Sequence, residues 1–368
     1  MAKSITKIVL TGGPAAGKTS LISRILKEFT RENGWKVITI PETATELISG
    51  FGIKPFDNCV SMLDFQYFVI SDQLHKERLA IKGAEMVPEE KVLIIYDRAL
   101  FDDKAYINDE EFRDILAYYG TNEETVLQGY DAVLHLVTCA KGAEFAYDYG
   151  NAARYEDVAT AREKDDLTIR AWSKHPNVHI IDNSQNFEDK LNRAIAEIYR
   201  ILGEPAPAAN KNKYLVKMPD TSVLEQKYNA LAIEMMQTYL TVTNPMIRRR
   251  IRQQRSGSDY LYFYTEKRTN ADGSAWVTER PISNKEYVSY LMEADLSLHP
   301  VRKVKYRFNL SERKMELDVY PFSEDKAVFF VYGENPGAVE LPEEITIIKD
   351  VTGDPAYKNR MLAARQEL

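Results

Sequence analysis

The chain has 368 residues, 44% hydrophobic and 28% charged, and its 48 Lys and Arg against 55 Asp and Glu leave a net charge of −7. This is a soluble globular composition, long enough for about two domains. Its acidic balance excludes a general nucleic-acid coat, so no nucleic-acid partner is expected and any anion site must be local. The two cysteines, Cys59 and Cys139, stand too far apart in the chain for a disulfide framework or a thiolate-rich metal site, and they read as buried filler in a reducing compartment. No apolar run reaches the ~20 residues of a membrane span, and the N-terminal run is too short for a secretory signal. A cytoplasmic protein is expected.

From the N-terminus, "ITKIVL", "KVITI", "KVLIIYD", "DAVLHLVT" and "NVHIID" are short β-rich runs alternating with helical stretches. That rhythm predicts a parallel α/β sheet with helices on both faces. Directly after the first strand, "GGPAAGKT" fits the phosphate-loop pattern G-x-x-x-x-G-K-[ST] and opens the helical run "SLISRILKEF". Its glycines let backbone N–H groups face an anion at a positive helix end. Gly12, Gly13, Pro14, Ala15, Ala16, Gly17, Lys18, Thr19 and Ser20 are therefore the expected nucleotide-binding set. Lys18 is expected on the terminal phosphates and the Thr19 hydroxyl on Mg2+.

"VITIPETATEL" leaves a strand at Glu42, read as a second metal carboxylate, a general base, or an ordinary acid in a helix's first turn. "KVLIIYDR" ends in Asp97 and Arg98, at the edge where open α/β sheets place ligands. Asp97 is expected to hold Mg2+ through water or to act as a base, and Arg98 to grip an anionic group. Further on, Arg154 and Arg162 lie eight residues apart on an expected helix and so share nearly one face. They suit a lid that closes on a transferring phosphoryl group, or a solvated salt-bridged helix. The loop at Asn183 would approach the nucleotide base.

"LGEPAPAANKN" cannot extend a helix and reads as a linker, giving a nucleotide-binding domain at 1–203, a linker at 204–210 and a second domain at 211–368. There the runs "KYLVKM", "QTYLTVT", "MIRRRIRQQ", "YLYFYTEK", "VRKVKYRFNL", "KMELDVYPF" and "AVFFVYG" predict an antiparallel α+β sheet or barrel. Alternation puts Arg248, Arg250 and Arg252 on one strand face and Arg249, Ile251 and Gln253 on the other. Neither set is apolar, so one face is expected to be wet and the other to point at charge. Lys213, Lys267, Lys303, Lys305 and Arg307 supply further cations, and Glu279, Glu316, Asp318 and Glu334 the acids. A closed barrel lined this way would bind a polyphosphate through its cations and a divalent metal through its carboxylates.

Residues 5–203 resemble the phosphate-loop domain of NadR-type ribosylnicotinamide kinases and of the TRPL translocation defect protein family, through "LTGGPAAGKTS", "IPETATEL", "LIIYDR", "RYEDVATAR" and "HIIDN". The resemblance implies Mg2+ and ATP or GTP, with a kinase-like fold. Residues 211–364 resemble the CYTH, or triphosphate tunnel, superfamily through "KYLVK", "RIR", "TEK", "ELD" and "IIKDVTGDPAYKN". That resemblance marks Arg250 and Arg252 as ligands and leaves Arg249 and Arg255 as surface charges. The chain departs from the pattern where acids belong, carrying Ala209, Lys211 and Tyr332 instead. Fewer acids lower metal affinity and leave anion binding.

The two-domain fusion is the arrangement of the translocation-defect family, which implies an anionic lipid headgroup as one ligand and leaves peripheral membrane contact open. Plant tunnel proteins fused to a uridine-kinase-like domain imply pyrophosphate instead. Three functions follow as expectations. One is a nucleotide-dependent binder of a phosphorylated small molecule, polyphosphate or headgroup. The others are a small-molecule kinase, and a metal-dependent triphosphatase or pyrophosphatase in the tunnel.

Overall fold

A computed structural model of the chain describes residues 3–55, 60–142, 157–184, 186–204, 211–256, 259–269, 275–310, 313–333 and 340–368. They divide into two units, Met1–Glu204 and Pro205–Leu368. Arg154, Glu334, Ala209 and Cys59 lie outside the described residues.

The first unit is built on β1 (Ser4–Thr11), β2 (Trp35–Ile40), β3 (Lys91–Asp97), β4 (Ala132–Leu136) and β5 (Val178–Ile181). These are the five strands expected from the sequence, and they pair in parallel in the order β2-β3-β1-β4-β5. Parallel neighbours need crossovers, supplied by α1 (Lys18–Glu28), α2 (Thr43–Ser49), α3 (Met62–Met86), α4 (Asp109–Tyr118), α5 (Glu123–Gln128), α6 (Val158–Trp172) and α7 (Phe187–Ile201). Alternate strand residues feed two cores. Ile8, Leu10 and Leu134 pack against Leu21 and Ile25 of α1 and Ile198 of α7. Val9, Ile94 and Val133 pack against Ile70 of α3, Phe112 of α4 and Trp172 of α6. Burial on both faces is why these strands read as continuous apolar runs.

The second unit contains β6 (Lys211–Lys217), α8 (Thr221–Tyr228), β7 (Leu231–Leu240), β8 (Ile247–Ser256), β9 (Asp259–Thr269) and β10 (Ala275–Ile282). It continues with α9 (Asn284–Leu291), β11 (Val301–Leu310), β12 (Arg313–Val319), β13 (Lys326–Tyr332), β14 (Ile347–Asp350) and α10 (Asn359–Arg365). All pairings are antiparallel, in the order β10-β9-β8-β7-β11-β12-β13-β6-β14, and no pairing joins β10 to β14 among the described residues.

One face of this sheet is apolar and covered. Val216, Phe308, Leu317 and Phe329 pack on Leu224 of α8, and Leu240, Ile251 and Ile282 pack on Tyr287 of α9. This corrects the expectation that neither side of β8 is apolar. Ile251 is fully buried, and Arg249 lies 5.6 and 5.9 Å from the Tyr264 and Tyr290 rings, its stem serving as packing surface. The opposite face is charged, and at one end Leu362 and Ala363 of α10 pack on Val301, Tyr320 and Val328.

Candidate functional site

The loop between β1 and α1 alternates backbone hand: Gly12, Ala15 and Gly17 have φ of 132°, 56° and 96°. Such alternation turns successive N–H groups toward a common centre. At Gly12 no other residue fits, since a Cβ would stand 2.0 Å from the Leu136 carbonyl oxygen. Gly17 caps α1 without a side-chain hydrogen bond, and no acid occupies the first turn, so the positive helix end is left for an external anion. Lys18 is buried at the start of α1, Thr19 is exposed and Ser20 is buried.

Register brings the strand-end residues together: Leu10 pairs with Asp97, and Ile40 with Tyr96, placing Glu42, Asp97 and Arg98 at the same carboxyl edge. Arg98 adopts φ 69°, a strained backbone for a side-chain-bearing residue, with its N–H donating to the Leu10 carbonyl at 3.0 Å. Its guanidinium donates to Glu42 and, at 3.1 Å, to Asp102. Glu42 also accepts from the Thr45 hydroxyl at 2.8 Å, so protein donors reach both its oxygens. Burial pushes its carboxyl up, but Arg98 and Lys18 overcome this and hold it at about 2.

Asp97 is the contrast. Burial drives its carboxyl up to about 6 despite Lys18, and its Oδ1 is buried without a hydrogen-bond partner. Burial likewise lowers the Lys18 ammonium, with Arg98 adding repulsion. An orphaned carboxylate oxygen at the strand edge and a hydroxyl in the first turn of α1 are the donor types that suit Mg2+ held partly by phosphate oxygens and water. No group of three or more His, Cys, Asp or Glu among the described residues could hold a metal unaided. The ion would therefore depend on the nucleotide.

Three supporting residues escaped the sequence reading. Asp102 accepts from the Thr11 hydroxyl at 2.6 Å and from Trp172 Nε1 at 3.1 Å. Asp165 of α6 accepts from the Gly13 N–H at 2.8 Å, the Thr138 N–H at 3.1 Å and Lys141 Nζ at 2.9 Å, and lies 3.2 Å from His135 Nε2. Lys190 of α7 donates to the carbonyls of Ala16, at 3.0 Å, and Val137, at 2.6 Å. Of the expected lid arginines, Arg162 lies on α6 with its Nε donating to the Ala140 carbonyl at 2.6 Å. Asn183 donates to the Thr138 and Lys141 carbonyls and accepts from Lys190, which fastens the loop after β4 and occupies the side chain expected near the base.

In the second unit, pairing register places Arg248, Arg250, Arg252, Lys267, Lys303, Lys305, Arg307, Glu279, Glu316, Asp318 and Lys213 on the same sheet face. Glu316 and Asp318 are buried there. Glu316 faces Lys305, Arg307 at 3.3 Å and Lys314 at 3.5 Å, and accepts from the Tyr332 phenol at 2.9 Å. Asp318 faces Lys303 at 2.5 Å and Lys305 at 3.6 Å. Glu279 accepts from Arg252 at 2.9 Å and the Thr265 hydroxyl at 3.0 Å. Although burial opposes ionisation of Glu316 and Asp318, their lysines hold both carboxyls below the ordinary range.

A parallel sheet, a glycine-built anion cradle, a buried lysine and a strand-end aspartate define a phosphate-loop nucleotide-binding domain. Residues 7–190 match a family described as an AAA domain, and the chain belongs to that family. No curated protein matches it. Among solved structures it is similar to the inorganic triphosphatase NE1496, with 24% identity and a TM-score of 0.31 over 42% of this chain and 93% of that one. It is also similar to a NadR protein in complex with NR, at 14% identity and TM-score 0.41, over 56% of this chain and 54% of that one. A thymidylate kinase from Ehrlichia chaffeensis matches at 16% identity and TM-score 0.37, over 54% of this chain and 99% of that one. No helix among the described residues is long and apolar enough to cross a membrane.

Proposed function

We propose that the N-terminal unit binds ATP or GTP with Mg2+ and hydrolyses or transfers the terminal phosphoryl group, while the charged C-terminal face holds a phosphorylated ligand. The observation that carries the first part is the gathering of Lys18, Asp97 and Arg98 at the carboxyl edge of the central strands. Lys18 and Arg98 would offset charge on the phosphates. Thr19 and Asp97 would hold a bound Mg2+, whose chemistry there is to neutralise the phosphate oxygens. Glu42 orients Arg98 rather than acting as a base, since its oxygens already accept from Arg98 and Thr45.

An acceptor hydroxyl placed beside Asp97 would make the same geometry a small-molecule kinase. The elevated carboxyl of Asp97 favours this second reading, because a base titrating nearer neutrality transfers protons more readily. The hydroxyl oxygen would form the new P–O bond as the β–γ bond breaks, its proton passing to Asp97 and the nucleoside diphosphate leaving. The resemblance to the translocation-defect family supports the binding role of the C-terminal half.

Calorimetry with ATP and GTP, with and without Mg2+, tests the site. Lys18→Ala is expected to weaken nucleotide affinity by about 100-fold, roughly 3 kcal/mol, and unchanged affinity would show the site to be wrong. Product detection over a panel of nucleoside acceptors separates transfer from hydrolysis.

A further inference from the structure

Carboxylates on the charged sheet face invite the expectation of a divalent metal beneath a bound polyphosphate. Their surroundings do not fit one. Glu316 already faces three cations and a phenol donor, Asp318 two lysines, and Glu279 an arginine and a hydroxyl. Of these acids' oxygens, Asp318 Oδ1 alone is buried without a hydrogen-bond partner among the described residues, and Lys305 Nζ stands 3.6 Å from it. A divalent ion needs several oxygens converging on one point, and here it would have to enter beside ammonium groups and break buried ion pairs, which is costly. β6 adds two further cations to this face, Lys211 and Lys213, the first of them where the resemblance would place an acid.

The cations are in surplus. Among the described residues, no carboxylate lies within ion-pair distance of Lys213, Arg250 or Lys267, although all three share the face with the neutralised acids. Burial, aided by repulsion from Lys303 and Lys211, pushes the Lys213 ammonium down to about 8 against the pull of Asp318. A bound polyanion would relieve that repulsion. α10 closes one end of the face, so a ligand would meet a floor of cations and an apolar stop.

We infer that this face binds a clustered-phosphate anion directly through Lys213, Arg250 and Lys267, with no divalent metal. The inference rests on the reading of the face as a phosphate-ligand site and adds that its internal acids serve as counter-ions to its lysines.

The test is calorimetric titration of tripolyphosphate into the full chain carrying Lys18→Ala, which weakens the phosphate loop as a competing site, in EDTA and in Mg2+. The expected result is binding in EDTA that Mg2+ does not tighten, weakened about tenfold by adding Arg250→Ala and again by adding Lys267→Ala. Binding only in Mg2+ would overturn the inference while keeping the phosphate-ligand reading. Indifference to Arg250→Ala and Lys267→Ala would overturn the assignment to this face. Vesicle sedimentation with phosphatidic acid against phosphatidylcholine alone separates the two sources of phosphate. Binding of phosphatidic acid in EDTA, lost with Arg250→Ala, supports the same site with a headgroup as its ligand, and no binding of either probe would overturn both readings.

Discussion

The two units treat buried carboxylates in opposite ways. At the phosphate loop, Asp97 keeps an unpartnered oxygen and an elevated carboxyl despite Lys18 and Arg98, so one carboxylate oxygen there is left without a protein donor. On the C-terminal sheet, Glu316 is surrounded by cations and held well below its usual range, while among the described residues no carboxylate lies within ion-pair distance of Lys213, Arg250 or Lys267. On the proposed readings, a metal-dependent site and a metal-free one differ in which charge is left over, and counting acids alone cannot show it.

The largest effect that would break this contrast is removal of Glu316. Glu316→Ala is expected to destabilise the C-terminal unit by about 4 kcal/mol, because it leaves Lys305, Arg307 and Lys314 facing one another, and to tighten tripolyphosphate binding if the chain stays folded. Thermal unfolding followed by calorimetry reads both, and an unchanged melting temperature would contradict the counter-ion role. Gly12→Ala is expected to cost about 3 kcal/mol and abolish nucleotide binding, through collision with Leu136 and a disfavoured φ. Nucleotide affinity equal to that of the unaltered chain would refute the cradle geometry.

A pH experiment addresses the Glu42–Arg98 pair. The Glu42 carboxyl sits at about 2 in the fold against an ordinary 4.5, so its stabilisation is complete above pH 4.5 and is lost as pH falls toward 2. Glu42→Gln should flatten that part of the stability curve, by about 3 kcal/mol; identical curves would remove the assignment. The smallest effect is expected at Arg255, whose ion pair with Glu234 has both side chains about half exposed. Arg255→Ala should move stability by less than about 0.5 kcal/mol, and a larger loss would mean that this arginine serves something other than a surface pair.

Much of this was readable in advance for stated physical reasons. The five parallel strands announce themselves because both faces are buried, and the phosphate loop because its backbone demands glycine. The runs predicted for the second unit did not include β10 and β14, which lie at the two ends of the sheet. β10 carries Pro281, and β14 is four exposed residues, so neither shows the alternation that marks a half-buried strand. Asp165 was hidden for another reason. In "REKDD" it looks like part of a solvated charged helix, and its link to Gly13 spans 152 positions. The packed side of β8 was misread because Arg249 counts as polar in a pattern while its stem packs like an apolar residue.

Lys190 reaches back 174 positions to hold the Ala16 carbonyl. The loop is synthesised well before this fastening, which is among the last parts of its unit to emerge. A growing chain that stops short of α7 carries the complete nucleotide motif without this tether. The cradle is then fastened in full only when α7 has been made, close to the moment when synthesis of the second unit begins.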